Sequence, residues 1–207
     1  MPLISPAFAN DSAMTEFKIH QGLPTGHEHA AAILYWQAFG AKLGKLLGPE
    51  QRGVEFFTAT INPPSIFAAI GTDGMLLGVS AVQLNGKGFT YAGLTDLFKH
   101  YGLGALWRIV PLAMLERSPP TDTLQMDGIC VASAARGMGV GTALLEAVFQ
   151  CAHDNDLTKV TLDVINTNPR AKALYERRGF AATSTESTSI LRPLLGFDSA
   201  TRMVKTV

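Results

Sequence analysis

The sequence predicts a single α/β domain, and three observations carry that expectation. The chain has 207 residues, enough for one well-filled core with at most an appended piece. Apolar residues make up 47 % and charged residues 16 %, the balance of a packed globule rather than a disordered chain. Two short apolar runs, Leu124 to Val131 and Val160 to Ile165, read as buried strands, and each leads into a segment with helix-start signals.

The elements follow in order. Residues 1 to 13 read as a loose tail, and the domain itself as 14–207. Glu16 to His20 alternates as a first strand. Thr25 is a candidate cap for a helix from about Gly26 to Leu47, whose apolar residues Ala30, Ile33, Leu34, Trp36, Ala38 and Leu43 fall mostly at helical spacing. A shorter helix covers Pro49 to Thr60 and stops at Pro63-Pro64. Ser65 to Ile70 and Met75 to Gln83 flank Gly71-Thr72-Asp73-Gly74, a hairpin turn. A helical insertion at about 85–122 follows, with helices over Thr95 to Tyr101 and Leu103 to Arg117, closed by Ser118-Pro119-Pro120. After the strand at 124–131, a Gly-rich turn opens a helix from about Gly139 to Asp154. After the strand at 160–165, Asn168 caps a helix with Pro169 in its first position and Gly179 just past its end, the placements those residues favour. Phe180 to Ile190 and Thr201 to Lys205 read as a final strand pair around an apolar loop.

Charge and cysteine usage narrow the function classes. Seventeen acids balance seventeen bases, so no net field attracts nucleic acid or a membrane surface, and neither is expected as a partner. Cys130 and Cys151 match no metal spacing and no disulfide framework, which suits a reduced, cytoplasmic protein. Met1 to Ala13 lacks a basic n-region and a long apolar run, so no signal peptide is expected. Leu103 to Leu115 is the most apolar stretch, too short to span a bilayer and interrupted by Arg108.

The turn Arg136-Gly137-Met138-Gly139-Val140-Gly141 carries the first chemistry. A strand that ends in a Gly-rich turn and enters a helix presents unpaired N–H groups and the positive end of a dipole, which suits a pyrophosphate. Glycines let the backbone approach the anion closely, and Arg136 adds a fixed charge. A P-loop needs Lys-Ser or Lys-Thr after its last glycine, whereas Thr142-Ala143 follows here. The dinucleotide spacing G-x-G-x-x-G fails as well, because its third glycine falls on Thr142 or Leu144; Asp163 imitates only the ribose-binding acid. A turn serving close packing alone remains the plain alternative.

A second segment decides between them. Asn168-Pro-Arg-Ala171-Lys-Ala-Leu174-Tyr175-Glu-Arg-Arg-Gly179-Phe180 follows the next strand. Together with Arg136-x-x-Gly139-x-Gly141 it resembles the GNAT superfamily of N-acetyltransferases, in its two most diagnostic segments and in their order. The resemblance is specific over Leu124 to Phe180 and assigns no subfamily. It implies a single GNAT-like domain: a central mixed, mostly antiparallel sheet with a splayed parallel central pair, and helices on both faces. It implies acetyl-CoA as co-substrate, no metal, and an amine acceptor.

Residue by residue, the resemblance implies that the backbone of Arg136, Gly137, Met138, Gly139, Val140 and Gly141, with Thr142 adjacent, holds the pyrophosphate of coenzyme A. It places the pantetheine arm along Ile129, Cys130 and Val131, with the N–H of Val131 polarising the thioester carbonyl. Positions 168, 171 and 175 share a helix face; the resemblance makes Asn168 a pantetheine contact, Ala171 the small residue leaving room, and Tyr175 the acid that protonates the leaving thiolate. Plainer roles stand beside these: a buried strand residue for Val131, a helix cap for Asn168, a core aromatic for Tyr175, and, for Arg170 and Lys172, solvated surface charge rather than contact with the 3′-phosphate. The sequence departs from the family pattern at Ala132-Ser133-Ala134-Ala135, where Pro and Glu are frequent.

An attacking amine must lose a proton. Asp127, on the strand leading to Val131, is the first candidate base, with an acid turned away from the site or paired with a nearby base as the plainer reading; Glu55, His100 and Asp163 follow. The 85–122 insertion and the segment Leu191 to Phe197 are expected at the acceptor end. Leu97, Phe98, Tyr101, Trp107, Leu112 and Met114, with Leu194, Leu195 and Phe197, then wall an acceptor pocket, form a homodimer interface or pack on their own domain. Two rivals to a small-amine acetyltransferase remain: a non-catalytic acyl-CoA sensor of the same fold, and a protein-modifying acetyltransferase.

Overall fold

The computed structural model describes residues 16–83, 86–113, 120–187 and 197–207, and at position 42 the backbone alone. The expected tail at 1–13 lies outside the described residues, as do Met114, Leu194 and Leu195. Among the described residues seven strands form one sheet in the order β1-β2-β3-β4-β5-β7-β6, and six α-helices pack with it. The strands are β1 (Phe17–Gln21), β2 (Ile66–Gly71), β3 (Leu76–Gln83), β4 (Thr123–Val131), β5 (Lys159–Ile165), β6 (Ala181–Ser187) and β7 (Ser199–Thr206). The helices are α1 (Glu28–Leu47), α2 (Glu50–Thr60), α3 (Leu94–Tyr101), α4 (Leu106–Ala113), α5 (Val140–Asp154) and α6 (Pro169–Arg177). Every neighbouring pair is antiparallel except β4 and β5.

The central strands are buried on both faces, which explains why they read as continuous apolar runs, whereas β6 at the edge is exposed throughout. Along β2 the side chains alternate: Ile66 and Ala68 enter the layer beneath α1 and α2, whereas Phe67 and Ala69 enter the layer beneath α5. Val160, Leu162 and Val164 of β5 join Tyr175 and Phe180 in that second layer. Gly78 lets α5 sit close: a Cβ there would lie 2.9 Å from the Cys130 carbonyl and 3.0 Å from Val140 Cγ1.

Two starts differ from expectation. Helix α1 begins at Glu28, and Thr25 does not cap it. Gly26 takes a left-handed φ of 92°, which a helix cannot include, and its N–H donates to Glu28 Oε2 at 2.8 Å instead. In the insertion, the described helix expected from Leu103 is a 3-10 turn over Gly102–Ala105, followed by α4. Gly102, with φ 55°, ends α3 and forces that turn.

The insertion is anchored on α1 and α2. Tyr101 Oη donates to the Leu47 carbonyl at 2.7 Å, and Arg52 Nη2 donates to the His100 carbonyl at 2.6 Å. Arg108 donates to the Leu46 and Gly104 carbonyls, with its guanidinium over the rings of Tyr101 and Trp107. No helix among the described residues is long and apolar enough to cross a membrane.

Candidate active site

Two features of β4 set the site. First, its parallel pairing with β5 covers only Thr123↔Lys159, Leu124↔Val160 and Gln125↔Thr161, after which the strands part. Second, a bulge interrupts its pairing with β3. Ala81 faces Gly128 and Val82 faces Met126, so Asp127 has no residue opposite it.

The register also fixes where the backbone of β4 points. The Ala132 N–H donates to the Leu77 carbonyl at 2.9 Å, flanking the Gly78↔Val131 pair. In an antiparallel ladder that makes Gly78↔Val131 a non-hydrogen-bonded pair, so Val131 turns its own N–H and C=O away from β3. Ile129, two residues earlier, does the same. Both aim into the gap that β5 has left. The backbone of Cys130 faces β3 instead.

The gap leads to the Gly-rich turn. A 3-10 turn over Ser133–Ala135 brings the chain off β4, and Gly137 and Gly139 both take φ 82°. Nothing lies within 4 Å of a Cβ built on either, so their outer sides are open, whereas a Cβ on Gly141 would lie 3.7 Å from Val131 Cγ2. Ala143 is the first residue of α5 to bond back, to the Gly139 carbonyl at 3.0 Å. The N–H groups of Val140, Gly141 and Thr142 therefore precede any intrahelical acceptor and sit at the positive end of the dipole. Met138 and Val140 root the turn in the second core layer, and Arg136 is exposed beside it. An anion fits this cradle, since no side chain fills it.

Helix α6 borders the gap from the β5 side. Asn168 Oδ1 accepts the Ala171 N–H at 3.2 Å, so the expected cap is present, and Gly179 takes φ 85° at the far end. Tyr175 is 6 % exposed and packed edge-on to Phe180, and its hydroxyl makes no hydrogen bond among the described residues. Burial first, and the nearby Cys130 second, raise the pKa of its phenol well above the usual value. Burial likewise pushes the Cys130 thiol up to about 12, which keeps it neutral.

On the other face of β4 lies Asp127. Its Oδ1 accepts from Gln83 Nε2 at 2.9 Å and its Oδ2 from the Phe89 N–H at 2.8 Å, so this carboxylate ties the chain at 86–89 to the bulge. Of the other candidate bases, Asp163 pairs with Arg202 through two bonds of 3.1 Å, and Glu55 is exposed on α2 and accepts from Gln51. The His100 ring packs edge-on to Phe56. None of these three is brought to the bulge. Leu97, Tyr101 and Phe197 are buried and Leu112 is packed against the first core layer, whereas Phe98 and Trp107 are exposed.

The structure adds two residues beside Asp127 that sequence reasoning passed over. Tyr35 of α1 stacks on Phe89 with ring centroids 3.9 Å apart, and Phe39 covers Gly128 so closely that a Cβ there would meet its ring at 2.3 Å. Their helical spacing marks them only as apolar-face residues of α1, and nothing local reveals what they cover. Among the described residues no group of three His, Cys, Asp or Glu side chains is placed to hold a metal ion.

Comparison with known proteins agrees with this geometry. N-acetyltransferase family 8 member 2 of Rattus norvegicus is 32 % identical over 117 residues, covering 51 % of this chain and 52 % of that protein. Mycothiol acetyltransferase of Corynebacterium jeikeium is 29 % identical over 94 residues, 45 % of this chain and 27 % of that protein. The chain thus spans about half or less of these relatives' length. Among solved structures, an N-acetyltransferase from Staphylococcus aureus superposes with a TM-score of 0.62 at 18 % identity, covering 90 % of this chain and 99 % of its own. The Escherichia coli ribosomal-protein-S18-alanine N-acetyltransferase gives 0.55 at 16 %, covering 93 % and 94 %. At such identities these two speak for the fold. A family model described as the acetyltransferase (GNAT) family matches residues 34–180, most of the chain. The chain therefore belongs to the GNAT acetyltransferase family.

Proposed function

We propose that this enzyme transfers an acetyl group from acetyl-CoA to a primary amine by direct attack in a ternary complex. The observation that carries the reading is the unpaired backbone of Ile129 and Val131, facing a gap that ends at the Gly-rich turn. In this reading the N–H groups of Gly137, Gly139, Val140, Gly141 and Thr142 hold the pyrophosphate, with Met138 fixing the turn and Arg136 adding charge. Ile129 and Val131 pair with the amides of the pantetheine arm, and Cys130 sits between them. Asn168 and Ala171 bound the arm from α6.

When bound, acetyl-CoA supplies an activated acyl carbon. The amine forms a C–N bond to it, the C–S bond breaks, the nitrogen loses one proton, and the leaving sulfur takes one up. The N–H of Val131 stabilises negative charge on the carbonyl oxygen. Tyr175, whose raised pKa keeps it protonated, donates to the sulfur. Asp127 lies at the bulge of β4, two residues before Ile129, and in this reading it takes the amine's proton directly or through water. The neutral Cys130 thiol is no nucleophile, which favours direct transfer over an acetyl-cysteine intermediate.

The test is release of coenzyme A thiol over a panel of arylalkylamines, polyamines, aminoglycosides, amino acids and peptides. Turnover with at least one acceptor is expected. Binding of acetyl-CoA without turnover of any acceptor would move the assignment to a sensor, and turnover of peptides alone would make it a protein-modifying enzyme.

A further inference from the structure

The cluster around the bulge of β4 has more order than a core requires. Asp127 fixes Phe89 through its backbone N–H, and Phe89 lies parallel to Tyr35, with an interplanar angle of 10°. Phe57 meets both rings edge-on, at 5.1 Å from Tyr35 and 5.9 Å from Phe89, and Phe39 closes the side over Gly128. The phenol of Tyr35 is thereby clamped on three sides.

Its hydroxyl is handled differently from that of Tyr101 in the same layer. Tyr101 Oη has the Leu47 carbonyl as its partner, whereas the Tyr35 hydroxyl makes no hydrogen bond among the described residues. A sealed, unpartnered hydroxyl costs on the order of 1–3 kcal/mol. Yet the only fully buried side-chain polar atom without a partner among the described residues is His27 Nδ1, so the Tyr35 hydroxyl is reachable from outside. Burial raises its pKa well above the usual value, and Asp127 and Cys130 raise it further, so it stays protonated and lies within the field of both groups. Asp127 and Cys130 flank Ile129, the first residue whose backbone faces the gap.

We propose that Tyr35 positions the acceptor: its hydroxyl accepts a hydrogen bond from the incoming amine, while the half-buried rings of Tyr35 and Phe39, backed by the buried Phe89, contact an apolar body carried by that amine. This deepens the acetyl-transfer reading and rests on it. The pyrophosphate turn takes one end of the gap, so the amine arrives at the other, along the stretch of β4 that these rings border. Asp127, fixed by Gln83 and Phe89, supplies the negative charge that draws a protonated amine to the same place. A primary amine on an aromatic or aliphatic body fits such a wall. A polyamine, charged along its length, does not.

The variant that tests this is Tyr35→Phe, which keeps the stack and removes only the hydroxyl. Binding of 2-phenylethylamine and of spermidine to the coenzyme A-loaded protein is measured by calorimetry, beside thiol release with both amines. The expected result is binding of 2-phenylethylamine at least tenfold tighter than spermidine. Tyr35→Phe should then weaken that binding and raise KM at least fivefold, with acetyl-CoA affinity and Tm unchanged. Equal behaviour of Tyr35→Phe and the parent protein, or preference for spermidine, overturns the proposal. Binding that depends on the hydroxyl, with no thiol released from any acceptor, would retain the role of Tyr35 and overturn acetyl transfer instead.

Discussion

At the scale of single residues, the two sides of the reaction use opposite tactics. Tyr175 is kept neutral by burial, and in the proposed reaction it holds its proton until a thiolate develops beside it. Tyr175→Phe should lower kcat about a hundredfold, the usual size of a lost general acid, and leave acetyl-CoA affinity within about twofold. Calorimetry and steady-state rates read both quantities; equal rates at every pH would remove Tyr175 from the chemistry. Asp127 instead has both oxygens occupied. Asp127→Asn turns an amide NH2 towards either the Phe89 N–H or the Gln83 amide, so the variant should lose about 1–3 kcal/mol of stability. If the carboxylate also takes the amine's proton, kcat falls and the acidic limb of its pH profile disappears. Loss of stability with an unchanged profile would confine Asp127 to holding the chain at 86–89.

At the scale of elements, local chemistry and local sequence agree well. Asn168, Pro169 and Gly179 delimit α6 as their residue types dictate, and Gly137 and Gly139 take the left-handed φ that their turn requires. Gly139→Glu should abolish acetyl-CoA binding, because it adds a strained φ and places bulk and negative charge in the open cradle; unchanged affinity in calorimetry would contradict the pyrophosphate assignment. Asn168→Ala removes a real cap and should cost about 1 kcal/mol, or about 2–4 °C in Tm for a chain of this size. A rise in the Kd for acetyl-CoA beyond that modest destabilisation would show that Asn168 also meets the pantetheine arm. Where expectation failed, a glycine was responsible. The φ of Gly26 delays α1 past Thr25, and that of Gly102 splits the insertion, and neither sign of φ is written in residue type alone.

At the scale of the whole molecule, several proton-holding groups share one dense interior. Cys130, Tyr35, Tyr101 and Tyr175 all have their pKa raised by burial, Cys130 and Tyr101 to about 12. Each is protonated more tightly when folded than when unfolded. The stability they supply is therefore complete below the unfolded values, about 8.5 for a thiol and 10 for a phenol, and is lost as pH climbs above them. Denaturant midpoints should stay level with respect to these groups up to about pH 8.5. Above that they should fall, by about 1.4 kcal/mol per pH unit for each group that titrates only in the unfolded chain. A midpoint unchanged between pH 8 and pH 11 would mean that these side chains are not buried as described.

Much of the proposed donor half was legible as structure in the sequence, because it is built from short segments whose conformation is local: a strand, a Gly-rich turn, a helix start, and a second capped helix. Backbone conformation and helix ends follow from residue type within a few positions. The acceptor half was not legible. Tyr35, Phe89 and Asp127 are separated by 38 residues or more, and their meeting depends on α1 lying across a bulge in β4. The sequence alone determined the α/β class, the order of elements and the Gly-rich turn that opens α5. Only the tertiary structure decided that β4 parts from β5 after Gln125, that Ile129 and Val131 turn their backbone into the gap, and which rings gather around Asp127 and Gly128. Those outcomes are set by strand register and by packing between distant segments, which residue type within a single segment does not encode.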